Sequence, residues 1–573
     1  MNWATGTLAG WALNQNDSLN RRRFLQYLGW LGLSPELASG FTAIPSDLYA
    51  SSAFGNVTLM HFTDSHAQLL PVYYREPSVN SDFGPGRKFT TYRVGQEFLH
   101  FFGIKPGSRE AYAFTALDFV EAATIYGKMG GFAHLATLIK QIRRERGQEN
   151  TLLLDGGDSW QGSATALWTQ GQDMIAACNL LGVDMMTGHW EFTYGREQVQ
   201  KNVSQFKGEF LAQNIALTEE AQFTADTEQA AVFKPYTIKA FKNAKVAVIG
   251  QAFPYTPIAH PQRFTASWQF GIQEQNLQKI IEQIKKTKQA DVIVLLSHNG
   301  LDVDLKLASQ VSGLDVILGG HTHDALPRPI AVKNSQGTTW VTNAGSHGKF
   351  LAVLDLDITH GLLRDLRYRL LPVFSNLIKP DVEMQQLIND IRAPYIAKLQ
   401  QPLGVADRLL YRRDTYQGTF DKLILAALLT INDAQIALSP GFRWGATLLP
   451  GHTIRYEDVM NQTAIAYPET YVRILSGHEL KAILEDVADN RFNPDPYYRQ
   501  GGDMVRAGGF SFSCQPAAPF GKRISQMRLT NGQLIDADKS YKVAGWASTG
   551  TNATGKAVDE LVKQYLQQDT AGK

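Results

Sequence analysis

Two cysteines in 573 residues leave no disulfide framework, and without a Cys-x-x-Cys pair they exclude thiolate zinc sites and dithiol redox chemistry. Cys178 falls in a helix-like stretch and Cys514 in a strand-like one, neither beside a histidine that would activate it. Both read as buried and inert, with a single bridge between them left open. Charge of one sign is missing too: 55 Lys+Arg against 54 Asp+Glu gives a net +1. That balance offers no general attraction for nucleic acid or an anionic membrane, so any anion must be recognised by local positive groups. No apolar run approaches the roughly 20 residues of a membrane span. There is no internal repeat and no low-complexity tract. What the chain does have is 44% hydrophobic residues against 19% charged ones, enough for substantial cores in at least two domains.

Histidine placement is the strongest signal. Five of the thirteen histidines, with two aspartates, lie in short polar motifs: Thr63-Asp64-Ser65-His66, Asp155-Gly156-Gly157-Asp158, Gly188-His189-Trp190-Glu191, Ser297-His298-Asn299 and Gly319-Gly320-His321-Thr322-His323. Each follows a short β-branched or Leu-rich run, at residues 57–62, 151–154, 183–186, 292–296 and 316–318. Such runs read as buried strands ending in loops, which predicts that the polar groups gather at one edge of a sheet. Imidazole with carboxylate suits zinc, manganese or iron. Seven candidate ligands (Asp64, His66, Asp158, His189, His298, His321, His323) exceed the roughly four of one tetrahedral zinc. Two ions sharing a bridging carboxylate account for the surplus, and paired ions are a recurring device for activating water in hydrolases. Asp158 is the expected bridge. His61, His100, His134, His260, His360, His452 and His478 read as structural or solvated, and His347 as a group behind the ligands.

These motifs, in this order, resemble those of calcineurin-like metallophosphoesterases. Residues 130–138 are similar to that superfamily's first-helix signature, and Ser439-Pro440-Gly441-Phe442-Arg443 resembles the C-terminal Gly-x-Arg substrate motif of its two-domain 5′-nucleotidase branch. The likeness spans roughly residues 55 to 565. It implies an α/β fold: a layered β-sandwich flanked by helices, plus a C-terminal 5′-nucleotidase-like α+β domain joined by a helix. It also implies that Asp64, His66, Asp158 and His323 hold one ion and Asp158, His189, His298 and His321 the other.

Two departures bear on function. The family usually reads Gly-Asn-His-Glu or Gly-Asn-His-Asp, whereas here the ligand Asn is His189 and the catalytic His is Trp190. Where nucleotidases carry Pro-Phe-Gly-Asn and Gly-Gly-Asp-Gly motifs with stacking aromatics, this chain has Ala466-Tyr467-Pro468-Glu469 and Trp546-Ala547-Ser548-Thr549. The same departures, with residues 113–119, 126–135 and 188–195, resemble the thiosulfohydrolase family of bacterial sulfur oxidation. That resemblance implies two Mn2+, with Zn2+ or Fe2+ as lesser alternatives. It also implies hydrolysis of the terminal sulfonate, as sulfate, from a cysteine-bound thiosulfate adduct on a SoxYZ-like sulfur-carrier protein. Thiosulfate and sulfate are the expected small anions. A periplasmic 5′-nucleotidase or other phosphoesterase is the second reading, and a metal-dependent binding module without activity the third. On the first reading Asp158, His189, Trp190, Glu191 and Arg443 are catalytic, and Arg443, Trp190 and Gly441 contact substrate. Glu191 is expected to orient His189 or a neighbouring ligand, and Arg443 to offer a planar donor fork to the sulfonate.

Organisation follows coarsely. Residues 1–54 form a leader in which Asn20-Arg21-Arg22-Arg23-Phe24-Leu25-Gln26, a modest apolar stretch at 27–33 and Ala38-Ser39-Gly40 resemble a twin-arginine export signal, implying a periplasmic location. Residues 55–375 form the metal domain, with a polar insertion at 71–127 as a candidate substrate wall; 376–404 form a linker helix and 405–573 the second domain. Trp444 and Trp546 read either as channel lining or as packing.

Overall fold

Strands buried on both faces are near-continuous in apolar residues, and the runs that looked like strands in the sequence behave in this way. The computed structural model describes residues 46–50, 52–79, 93–224, 232–550 and 553–571. The export-signal segment at 20–40 lies outside the described residues. The short helix Ser46–Tyr49 belongs to a separate N-terminal unit, and residues 52–573 form one compact unit.

Two six-stranded sheets carry the N-terminal half. The first runs Leu362–Pro372, Phe350–Thr359, Val57–Phe62, Thr151–Asp155, Met185–Met186, Glu209–Phe210. The second runs Ile330–Asn334, Gly337–Asn343, Val316–Gly319, Val292–Ser297, Ala244–Gln251, Tyr236–Phe241. Val57–Phe62 lies parallel to Thr151–Asp155 with Leu59 opposite Leu152, and the intervening helix Phe132–Arg146 makes the crossover. In the second sheet Ala244–Gln251, Val292–Ser297 and Val316–Gly319 are likewise parallel. The expected ligand loops therefore do not share one sheet edge. Asp64, His66, Asp158 and His189 follow strands of the first sheet, while His298, His321 and His323 follow strands of the second. Periodicity within a strand carries no information about which sheet it joins, so this division was invisible locally.

The polar insertion folds into helices Gly95–Phe102, Arg109–Phe114 and Phe119–Tyr126. After Leu362–Pro372, the edge strand of the first sheet, comes the connecting helix Val382–Arg392, capped by the Asp381 side chain on the Met384 N–H at 3.1 Å. A turn at Ala393–Tyr395 containing Pro394 separates it from the short helix Ile396–Leu399, as expected where proline removes a helical donor. Pro402–Val405 already pairs with Thr453–Arg455.

The C-terminal half is a four-stranded sheet ordered Thr470–Ser476, Ser540–Trp546, Ile436–Ser439, Arg506–Gly508, packed by Thr419–Ile431, Gly477–Phe492 and Val558–Ala571. Its apolar core takes in Phe420, Ile424, Trp444, Tyr467 and Trp546, and from the N-terminal half Ala164 and Trp190. Trp444 and Trp546 are each 2% exposed, which decides their role in favour of packing. Cys178 and Cys514 are both free thiols, so the bridge left open by the sequence is not made. Among the described residues no helix is long and apolar enough to cross a membrane.

Candidate metal centre

The seven residues picked out by the sequence are brought together where the C-terminal ends of parallel strands from both sheets meet. Asp64, His66, Asp158 and His323 each offer an atom within 4.8 Å of the others, and so do Asp158, His189, His298 and His321. Asp158 belongs to both sets. All seven are buried.

Backbone contacts fix the loops before any side chain is considered. The Asp64 N–H donates to the Gly157 carbonyl and the His66 N–H to that of Asp158, both at 2.8 Å, zipping the first two ligand loops together. The His321 N–H donates to the Asp64 carboxylate at 2.9 Å, which joins the loop from the second sheet to the first. Gly320 is required there, since a Cβ would lie 2.4 Å from Thr63 Oγ1 and 3.0 Å from Asp64 Oδ2. Asp64, His66, Asp158, His321 and His323 have φ of 51°, 44°, 57°, 73° and 61°, the left-handed region that non-glycine residues usually avoid.

The electrostatics of the cluster suit a cation. Burial depresses the imidazoles of His66 and His189 and holds those of His321 and His323 well below their ordinary value, which keeps their lone pairs available. Burial likewise opposes charge on His298, but Asp158 and Asp64 outweigh it and lift that ring to about 10. His66 Nε2 faces His323 Nε2 at 3.1 Å, His323 Nε2 lies 3.2 Å from Asp64 Oδ1, and His298 Nε2 lies 3.1 Å from Asp158 Oδ2. Such spacings suit donor atoms about 2.0–2.2 Å from a shared ion. Both ring nitrogens of His321 are buried without a hydrogen-bond partner, and leaving such atoms unsatisfied costs on the order of 1–3 kcal/mol each. His298 Nδ1 donates to the Gly156 carbonyl at 2.6 Å, which leaves Nε2 to face the carboxylates. The cluster is thus able to hold a pair of divalent cations.

Glu191 holds His189 and Asp158 through their backbone. Its carboxylate accepts four backbone N–H groups: Ser159 at 2.7 Å and Trp160 at 3.3 Å on Oε1, His189 at 2.8 Å and Asp158 at 3.2 Å on Oε2. It orients the ligand-bearing backbone on both sides rather than an imidazole ring. Trp190 donates its backbone N–H to Asp158 Oδ1 at 2.8 Å. Its ring sits among Phe442, Trp444, Tyr467 and His260, parallel to Tyr467 and edge-on to Trp444.

From the C-terminal half, Arg443 reaches the centre, but its donors rest on protein acceptors: Nη1 on the His321 carbonyl at 3.1 Å, Nη2 on that of Gly502 at 3.0 Å and Nε on Asp503 at 3.5 Å. Gly441 packs against the backbone of Asp503 and Met504 rather than facing the ligands. Several neighbours were not read from the sequence. Arg413 donates to the Thr322 carbonyl at 3.1 Å, so two arginines grip the Gly-His-Thr-His loop. Gly501, at φ +83°, lies so close to His321 that a Cβ there would fall 2.0 Å from Nε2. The Gly501-Gly502-Asp503 run was the signal that could have marked this loop. His347, expected behind the ligands, donates its backbone N–H to the Asp64 carbonyl at 2.8 Å, and its ring lies 5.7 Å from that of His66. An open pocket lined by Thr322, His323, Arg413, Arg443, Arg491 and Asp503 leads to the centre.

Comparison with known proteins agrees with this architecture. The model of the "5′-nucleotidase, C-terminal domain" family matches residues 396–560. Protein UshA of Yersinia enterocolitica is 24% identical over 504 residues, covering 76% of this chain and 87% of UshA. Among solved structures, the sulfate thiohydrolase SoxB of Thermus thermophilus superposes with a TM-score of 0.84 at 34% identity, covering 91% of this chain and 95% of that one. A 5′-nucleotidase precursor, also from Thermus thermophilus, shares the fold at a TM-score of 0.69 and 22% identity, covering 89% of this chain and 96% of its own. With the ligand cluster, the two-sheet layer and the matched C-terminal domain all in place, the chain belongs to the 5′-nucleotidase family of metal-dependent hydrolases.

Proposed function

We propose that this hydrolase is a periplasmic thiosulfohydrolase, exported by its twin-arginine-like leader, that releases sulfate from a cysteine-bound thiosulfate adduct on a sulfur-carrier protein. The observation that carries the reading is Trp190. It replaces the histidine that helps a phosphoester's leaving oxygen, and its ring is packed with Phe442, Trp444 and Tyr467 where a nucleobase would need open aromatic faces. The higher identity to SoxB than to the nucleotidase precursor supports the same reading.

Asp64, His66, Asp158 and His323 would hold one Mn2+ and Asp158, His189, His298 and His321 the other. When bound, the pair supplies Lewis-acid activation of water and neutralises charge on the attacked oxyanion. Arg413, Arg443 and Arg491 line the approach and provide the local positive charge that the near-neutral chain lacks as a whole. For a sulfonate to take the Arg443 fork, that side chain must trade one of its carbonyl acceptors for the substrate. A new S–O bond forms at the sulfonate sulfur, and the S–S bond breaks with its electron pair left on the carrier-side sulfur. That persulfide is far more stable as an anion than an alkoxide, so no acid is needed where Trp190 stands, and the indole instead excludes water.

Trp190→His tests the leaving-group argument. Sulfate release should not rise at constant metal content, while weak phosphatase activity should increase as a donor returns near the leaving oxygen. A large gain in sulfate release would mean that a missing acid had been limiting.

The specific alternative is a 5′-nucleotidase, favoured by the UshA relatives. Sulfate release from a thiosulfonated carrier, measured beside phosphate release from AMP, separates the two. Faster AMP hydrolysis would overturn the sulfur assignment.

A further inference from the structure

The part of the polar insertion nearest the metal centre crosses from the N-terminal to the C-terminal half. Val72 still bridges to Met129, but Tyr73 bridges to Thr447, whose N–H donates to the Tyr73 carbonyl at 2.7 Å. Beyond it the Arg75 guanidinium lies over the Tyr411 ring at 4.1 Å, and Ser78 Oγ donates to Asp414 at 2.7 Å. Tyr74 points inward and is 3% exposed. Its hydroxyl donates to the Arg443 carbonyl at 2.9 Å, and its ring stacks on His347 with centroids 3.9 Å apart. His347 Nε2 in turn accepts the Gly445 N–H at 3.3 Å, while the His347 backbone N–H holds Asp64.

The segment carrying Arg443 is therefore tied at alternate residues: Arg443 through Tyr74, Gly445 through His347 and Thr447 through Tyr73. An extended chain pinned at every second residue cannot slide by one without breaking all its ties. The Tyr74 tie is the one nearest the guanidinium. Its ring is also the surface against which His347, one hydrogen bond from Asp64, is packed.

We infer that Tyr74 is a positioning residue that sets the register of Arg443 over the metal ligands, and so the oxyanion affinity of the site. The inference rests on the reading of Arg443 as the residue that holds the substrate's oxyanion. It gives the start of the insertion a role beyond a wall. Tyr74 touches no substrate and acts through Arg443.

The test is a double-mutant cycle on inorganic sulfate binding, read by titration calorimetry on the Mn2+-loaded full chain, with metal content and melting temperature followed for each protein. Tyr74→Phe is expected to weaken sulfate binding roughly five-fold, the scale of one lost hydrogen bond, without loss of metal. In turnover the change should fall on KM with kcat little altered. In an Arg443→Ala background Tyr74→Phe should have no further effect. Ser78→Ala, which loosens the outer end of the strap and leaves Tyr74 in place, should leave sulfate affinity unchanged. The inference is overturned by equal weakening in both backgrounds, by a Ser78→Ala loss as large as that of Tyr74→Phe, by no change in Tyr74→Phe, or by a wild-type protein that binds no sulfate. Failure of the thiosulfohydrolase reading looks different: the wild type then binds sulfate yet releases none from a thiosulfonated carrier, and the cycle still decides about Tyr74.

Discussion

Replacing Asp158 with alanine is expected to remove both cations from the centre, not one. Asp158 is the only residue common to the two ligand sets, with Oδ2 3.1 Å from His298 Nε2 and Oδ1 3.4 Å from His189 Nδ1. Although burial disfavours its charge, His298 and His189 outweigh that and hold the carboxyl well below its ordinary range, so it stays ionised at any working pH. Without it, His298 loses its nearest anion and the two sets no longer share a residue. Metal content of the purified variant should fall from two equivalents towards none, and hydrolase activity by about 10^3-fold or more. Elemental analysis after dialysis, alongside turnover, checks this. A variant that keeps one tight equivalent and substantial activity would show that the carboxylate is not shared.

Glu191→Gln, a change of one atom type, is expected to be nearly as damaging. Each carboxylate oxygen accepts two backbone N–H groups, Ser159 and Trp160 on one side and His189 and Asp158 on the other. An amide can satisfy only one side and turns its NH2 towards two donors on the other. In a residue with no exposure, water cannot relieve that clash. Losing two charge-assisted bonds and burying opposed donors should cost about 3 kcal/mol or more in stability, and metal affinity should fall with it because His189 and Asp158 move together. Denaturant unfolding of the metal-free proteins isolates the stability change, and metal titration the coupling. Unchanged unfolding with normal metal affinity would mean that the loop holds its shape without the carboxylate.

What could be read in the sequence was whatever is written locally. The strands behind His66, Asp158, His298 and His323 announce themselves as apolar runs, and Gly-His-Thr-His announces two imidazoles. The strand before His189 shrinks to Met185–Met186, because the chain there needs only enough pairing to place the following loop. Contacts made by residues far apart in the chain have no local signature. Tyr74 on Arg443, Arg413 on Thr322 and Gly501 against His321 join segments whose own patterns say only loop, strand or turn. Glu191 stands out in its motif, but a motif cannot tell whether a carboxylate faces an imidazole or the backbone around it. Trp190 belongs to the same class: its identity was legible, its burial among C-terminal aromatics was not.

The left-handed backbone at Asp64, His66, Asp158, His321 and His323 has a consequence for how such a protein ages once its reaction is no longer needed. Each of these residues carries a Cβ in a region that only glycine occupies at no cost, a penalty on the order of 1–2 kcal/mol apiece. Bound cations offset that penalty; a chain living without them does not recover it. At His321, whose ring nitrogens make no hydrogen bond in the fold, drift to glycine would both abolish chemistry and ease the backbone, so that step from enzyme to inert scaffold runs downhill in folding free energy. An intact His321 is for that reason a mark of continued use, because no hydrogen bond of its ring in the fold rewards keeping it.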